Sequence, residues 1–167
     1  MELCVFRAWL RLRTFYLGEK GMIITLCGHA DYTPSEKDER KLLEFLEQKI
    51  GDRPAELYFG DYGNFDRFAF RCGKIYQHTH PNVKLRFVSP YLSDSYQKNQ
   101  LKEKEVEYDG IIFPPIESIP PKFAILHRNR WIVDQADYVI ARVTRSWGGA
   151  RQTLEYAKKQ KKETFEL

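Results

Sequence analysis

The chain lacks the marks of several common protein classes. It has three cysteines, Cys4, Cys27 and Cys72, in 167 residues. Their number is odd and no two stand in a CxxC pair, which excludes a disulfide framework and points to a reducing, cytoplasmic setting. No apolar run is long enough to cross a bilayer, so no membrane partner is expected. Charge of one sign is also missing. Lys and Arg number 27 against 23 Asp and Glu, a net charge of +4. After Gly21 the balance is 23 to 21, or +2. No basic stripe is visible, which argues against nucleic acid as the partner. The lysines from Lys158 to Lys162 read as the wet face of the last helix. There is no internal repeat. His78 and His80 form an H-x-H pair without a matching cysteine or carboxylate, so no metal site and no cofactor is called for.

What is present is a globular composition, 43% hydrophobic and 14% aromatic, which excludes disorder. The length suits one domain with a real core. The first 21 residues stand apart. They mix aromatic and basic residues and end in no small-residue cleavage site, a poor signal peptide. Gly18-Glu19-Lys20-Gly21-Met22 can be encoded as a purine-rich ribosome-binding site followed by ATG. The expectation is that Met22 is the native start and that 1–21 is a non-native or flexible leader. The alternative is a short amphipathic helix docked on the core or a membrane surface.

From Met22 onward strands and helices alternate. Met22–Cys27, Ala55–Phe59, Val83–Ser89 and Tyr138–Val143 read as buried strands, and Glu163–Leu167 as a terminal one. Helices are expected over Glu36–Ile50, Asp66–Gln77, Lys122–Gln135 and Ala150–Lys161. Ser35 and Asp38 mark the first helix start. Asp94–Tyr108 reads as a surface loop or frayed helix, and Ile111–Ile119, with four of the eight prolines in or beside it, as an extended connector. Such alternation predicts an α/β fold: a mostly parallel sheet with helices on both faces, from 22 to 167.

Three strand-to-helix turns carry glycine: Gly28-His29-Ala30-Asp31, Gly60 through Gly63 to Asp66, and Gly148-Gly149 leading to Thr153 and Glu155. Open parallel sheets bind ligands where such turns splay apart, and a helix N-terminus there favours anions. Each residue has two readings. Arg128 is a surface arginine or a phosphate clamp, its guanidinium matching phosphate oxygens in a fork. Asp66 caps its helix, or holds ribose hydroxyls. His29 is a satisfied turn histidine, or contacts a base or phosphate. Asn129 and Asp134 tie helix to loop, or reach the ligand. Tyr58, Phe59, Tyr62 and Phe65 stack on a base or pack the core. Cys27 and Cys72 read as small buried residues.

In order and spacing these motifs resemble a small bacterial member of the SLOG superfamily, which also holds Lonely Guy-type phosphoribohydrolases and the core of DNA-processing protein A. The resemblance covers Met22 to Leu167. Leu26-Cys27-Gly28-His29 is similar to a T-G-H turn. Gly60–Asp66 is similar to a glycine-rich loop closing on aspartate. Arg128-Asn129 followed by Asp134 and Asp137, and Gly148-Gly149 with Thr153, Tyr156 and Ala157, complete the set. The resemblance implies a Rossmann-like domain that binds a nucleotide or nucleotide-derived ligand as a sensor or accessory module. The ligand-binding set is Gly28, His29, Gly60, Asp61, Gly63, Asp66, Arg128, Asn129, Gly148, Gly149 and Thr153. It also implies possible homo-oligomers.

The chain departs from the family pattern at Asp61 and Asn64, where relatives often carry glycine. Asp61 puts a negative charge beside the anion site. Trp147 replaces a proline of the phosphoribohydrolase pattern, and one extra residue precedes Thr153. The alternative function is an enzyme cleaving an N-glycosidic bond. Arg128 would hold phosphate and the Glu155 carboxylate would stabilise positive charge developing on the ribose. That requires Arg128 and Glu155 to face one pocket.

Overall fold

The computed structural model describes residues 21–91, 96 and 100–167. Residues 1–20 of the expected leader 1–21, Cys4 among them, therefore lie outside the described residues. The described chain runs β1 (Met22–Gly28), α1 (Glu36–Lys49), β2 (Ala55–Phe59), α2 (Asn64–Thr79), β3 (Val83–Val88), α3 (Lys102–Glu107), β4 (Gly110–Ile112), α4 (Pro121–Gln135), β5 (Tyr138–Arg142), α5 (Gly149–Lys159) and β6 (Glu163–Glu166). The strands form one sheet in the order β4-β3-β2-β1-β5-β6. Every pairing is parallel. The fold is α/β, as the alternation of elements predicts.

Alternate residues of the central strands feed two cores, because successive side chains of a strand point to opposite faces. Ile24, Leu26 and Ile140 pack with Leu42, Phe45 and Leu46 of α1 and with Phe65, Phe68 and Cys72 of α2. Cys27, Val139 and Ala141 pack on the other face with Val133 of α4 and Leu154 and Ala157 of α5. A strand buried on both faces has no polar side to show, which is why β1 and β5 read as continuous apolar runs. Cys27 and Cys72 are both buried.

Helix starts follow local chemistry. Ser35 Oγ accepts from the Asp38 amide at 3.1 Å, and Glu36, Asp38 and Glu39 fill the first turn of α1, where carboxylates meet the positive end of the helix dipole. Pro121 opens α4, a position where its missing N–H costs nothing.

One segment differs from the sequence reading, and another takes the helical one of its two alternatives. The proline-rich connector begins with a strand, β4, pairing Ile111 with Phe87 and Ile112 with Val88. Three residues are too few to produce an alternation pattern. The polar stretch before it contains α3, a six-residue helix with no buried residue of its own. It is held at its ends by buried Leu101 and Tyr108.

The topology fixes the place for a ligand. β1 and β5 are neighbours, yet the helix after β1 packs on one face and the helix after β5 on the other. The turns that leave their carboxyl ends diverge, and a crevice opens between them.

Candidate functional site

The crevice is a cleft of about 290 Å³ at the carboxyl ends of β1, β2 and β5. Of the sequence-predicted residues, Gly28, His29, Gly60, Asp66, Arg128, Asn129, Gly148, Gly149 and Thr153 line it. Asp61, Gly63 and Glu155 do not.

The turns after β1 and β2 are pressed together. The Asn64 amide donates to the Ala30 carbonyl at 2.9 Å. A Cβ on Gly63 would stand 2.5 Å from Ala30 Cα, and one on Gly28 would strike the Phe65 ring. Gly63 thus serves loop packing outside the cleft lining. Asp61 adopts a left-handed backbone, φ 52°, which aspartate tolerates better than most residues. Its carboxylate pairs with Lys104 of α3. The negative charge expected beside the anion site is therefore neutralised locally, outside the lining.

Arg128 is the largest correction to the surface reading. It is a helix residue only 2% exposed. Its Nη1 donates to the Gly60 carbonyl at 2.9 Å and to the Val88 carbonyl at 2.8 Å, and its Nε donates to Asn129 Oδ1 at 2.8 Å. Nη1 thus holds the ends of β2 and β3, while Nε is taken by the next residue of α4, which spends part of the fork that a bidentate phosphate contact needs. Burial lowers its pKa from the ordinary value, and the nearby Asp66 charge opposes that.

Asp66, in the first turn of α2, accepts from the Tyr62 amide at 2.7 Å. It is the one carboxylate lining the cleft among the described residues. Burial pushes its pKa up to about 6, while the Tyr62 amide and Arg128 pull it down. A half-buried acid of raised pKa facing an arginine is what a polar ligand-binding floor requires.

His29 is buried. Its Nε2 lies 3.1 Å from the Thr144 amide and 3.2 Å from the Arg145 amide. Both amides are donors, so Nε2 accepts, and the ring is neutral with its proton on Nδ1. Burial, then the Arg145 charge, lowers its pKa. The imidazole is a strut between the β1 turn and the β5–α5 loop. The same loop is anchored again by Arg145, whose Nη1 and Nη2 donate to the two Asp31 oxygens at 3.0 and 2.8 Å.

The start of α5 faces the cleft. Gly148, its N-cap, has φ 95° and no side-chain cap. At Gly149 neither a positive φ nor a neighbour dictates glycine, since a Cβ there meets nothing within 4 Å. Thr153 Oγ1 donates back to the Gly149 carbonyl at 2.9 Å. Glu155 is displaced from the cleft by helix phase. Two residues on from Thr153 is roughly 200° around an α-helix. Its side chain is 57% exposed and pairs with Arg151 Nε at 2.7 Å. Arg128 and Glu155 therefore do not share a pocket. Asp134 and Asp137 are ties: Asp134 accepts from the Tyr156 hydroxyl at 3.0 Å, and Asp137 from the Ile23 amide at 2.8 Å.

Of the four aromatics considered for stacking, Tyr58, Phe59 and Phe65 are buried. Tyr62 is exposed and lines the cleft. Sequence reasoning missed Arg145, Trp147 and Ile125 as lining residues. Arg145 and Trp147 stand within four residues of Gly149 and Ile125 one helical turn before Arg128, so adjacency to motif residues was the available signal. Among the described residues no group of three or more His, Cys, Asp or Glu could hold a metal ion. No helix of the described residues is long and apolar enough to cross a membrane.

Two solved structures resemble this arrangement. One is DNA processing protein A from Helicobacter pylori, described for its single-stranded DNA binding mode. It matches with a TM-score of 0.56 at 17% identity, over 87% of this chain and 64% of that one. The other is the molybdenum cofactor binding protein of Rippkaea orientalis. It matches with a TM-score of 0.56 at 18% identity, over 89% of this chain and 77% of that one. The fold is Rossmann-like. The chain spans less than two thirds of the DNA processing protein A structure. No protein-family model matches the chain, and no curated protein matches it in sequence.

Proposed function

We propose that this Rossmann-like domain is a SLOG-type binding module that takes a nucleotide or nucleotide-derived ligand in the cleft between β1 and β5, acting as a sensor or accessory protein of the cytoplasm. The observation that carries the proposal is Gly149. Backbone conformation and packing both leave room for a side chain there, yet the sequence keeps the side chain away from the amides that open α5. Close approach of a ligand to those amides accounts for the glycine. Helix-terminal N–H groups without a side-chain cap favour an anion such as phosphate. Asp66 and Asn129 supply acceptor and donor groups for sugar hydroxyls.

The binding reading is preferred to N-glycosidic cleavage because Glu155 lies outside the cleft and is held by Arg151. The test is thermal stabilisation against a panel of nucleotides and ribose phosphates, with Gly149→Val as the control. A shift of several degrees with a nucleotide, lost in Gly149→Val, is the expected result. No shift in the native protein at saturating concentration would overturn the proposal.

A further inference from the structure

The cleft has two unlike ends. Its floor is polar, with Asp66, Arg128 and Asn129. Its rim is apolar. Tyr62 and Trp147, each 65% exposed, and Ile125 all line the cleft, and they come from the β2–α2 turn, the β5–α5 loop and α4 respectively. Single exposed aromatics are ordinary on a protein surface. Here two large aromatic side chains from different loops, Tyr62 and Trp147, line one cleft, and each keeps apolar area in contact with water.

Trp147 is also held in place. The Arg145 guanidinium lies over its ring, with Cζ 4.6 Å from the ring centroid. The Asp31 carboxylate fixes that guanidinium through two hydrogen bonds. One face of the indole is thus covered by a cation, and the side chain as a whole remains mostly exposed.

We infer that the rim formed by Tyr62 and Trp147 clamps a planar heteroaromatic ring, so that the site selects base-bearing nucleotides over ribose phosphates without a base. This rests on the nucleotide-binding reading and goes beyond it by assigning the ring its own contacts. Arg145 backs the clamp by covering one face of the Trp147 indole. Stacking accepts any base, because every base has a π face, so the selection is for a ring and not for one base.

The experiment is isothermal titration of the full chain with adenosine, guanosine, cytidine and uridine monophosphates and with ribose 5-phosphate, repeated on Trp147→Ala and Trp147→Phe. At least one nucleoside monophosphate is expected to bind about tenfold or more tightly than ribose 5-phosphate. That advantage should vanish in Trp147→Ala and survive in Trp147→Phe. Trp147 is mostly exposed, so both variants should keep the native melting temperature in the absence of ligand. Equal affinity for ribose 5-phosphate and the nucleotides, or an advantage unchanged in Trp147→Ala, overturns the clamp and leaves the nucleotide site standing. No binding of any of these probes overturns both. Binding of oligothymidylate in their place would identify single-stranded nucleic acid as the partner and would also overturn both.

Discussion

The Arg128 guanidinium fills the space that a side chain on Gly60 would need. Nη1 donates to the Gly60 carbonyl at 2.9 Å, and a Cβ on Gly60 would lie 2.8 Å from Cζ. A helix on one side of the cleft is thereby locked to the end of β2. A methyl group at Gly60 should push the guanidinium off both carbonyls it serves. Gly60→Ala is expected to cost about 1–3 kcal/mol, the usual range for overpacking a filled site. Urea denaturation checks this, and an unchanged midpoint would show that Arg128 can yield.

Gly149 should behave in the opposite way. With open space around its Cβ position, Gly149→Ala is expected to leave stability unchanged or raise it by about 0.4–1 kcal/mol through loss of unfolded-chain freedom. Ligand affinity should fall, since the new methyl stands over the α5 amides. Melting curves with and without nucleotide separate the two effects.

His29 gives the fold a pH dependence. Its folded-state pKa lies below the ordinary 6.5, so the native state favours the neutral ring. The stabilisation is present above the unfolded value and is lost as pH falls below about 6.5. Protonation removes the acceptor for the Thr144 and Arg145 amides. Protection of those two amides, taken relative to their intrinsic exchange rates at each pH, should fall between pH 7 and pH 5, and His29→Leu should abolish that dependence by removing the acceptor at every pH.

Asp66 contributes with the other sign. Its pKa rises to about 6 in the fold, chiefly by burial, against about 3.9 unfolded. The folded state holds the proton more tightly, so ionisation of Asp66 costs stability as pH climbs from about 4 to about 6. Asp66→Asn keeps an acceptor for the Tyr62 amide and removes the charge. The variant should gain on the native protein over that interval, as measured by denaturation at pH 4.5 and pH 7.

Glu155→Gln is expected to change nucleotide affinity by less than about twofold, because its partner is the neighbouring Arg151 on an exposed helix face and such pairs contribute little. Titration calorimetry is the check. A large loss would return Glu155 to the site.

The sheet was legible because buried parallel strands have a signature. β1 and β5 are short, β-branched and apolar on both faces, and the glycine turns follow them at once. β4 was not, since three residues carry no period. At the site, the glycines and Arg128 were found by spacing, but their duties were not. Burial of Arg128 depends on carbonyls of Gly60 and Val88, 68 and 40 residues away. The placement of Glu155 is a matter of helix phase relative to Leu154 and Ala157, which face the sheet. A motif shared by spacing alone does not fix that phase. Trp147 looked like a mere replacement for proline, since its sharing a cleft with Tyr62 exists only in three dimensions.

The turn from Gly28 to Asp31 has a mechanical consequence. His29 and Asp31 grip the β5–α5 loop, and Ala30 grips the start of α2. Three consecutive residues therefore bolt both halves of the sheet to one short span of backbone. The mouth of α5 and the start of α2 on the opposite face are thus tied to one and the same piece of chain.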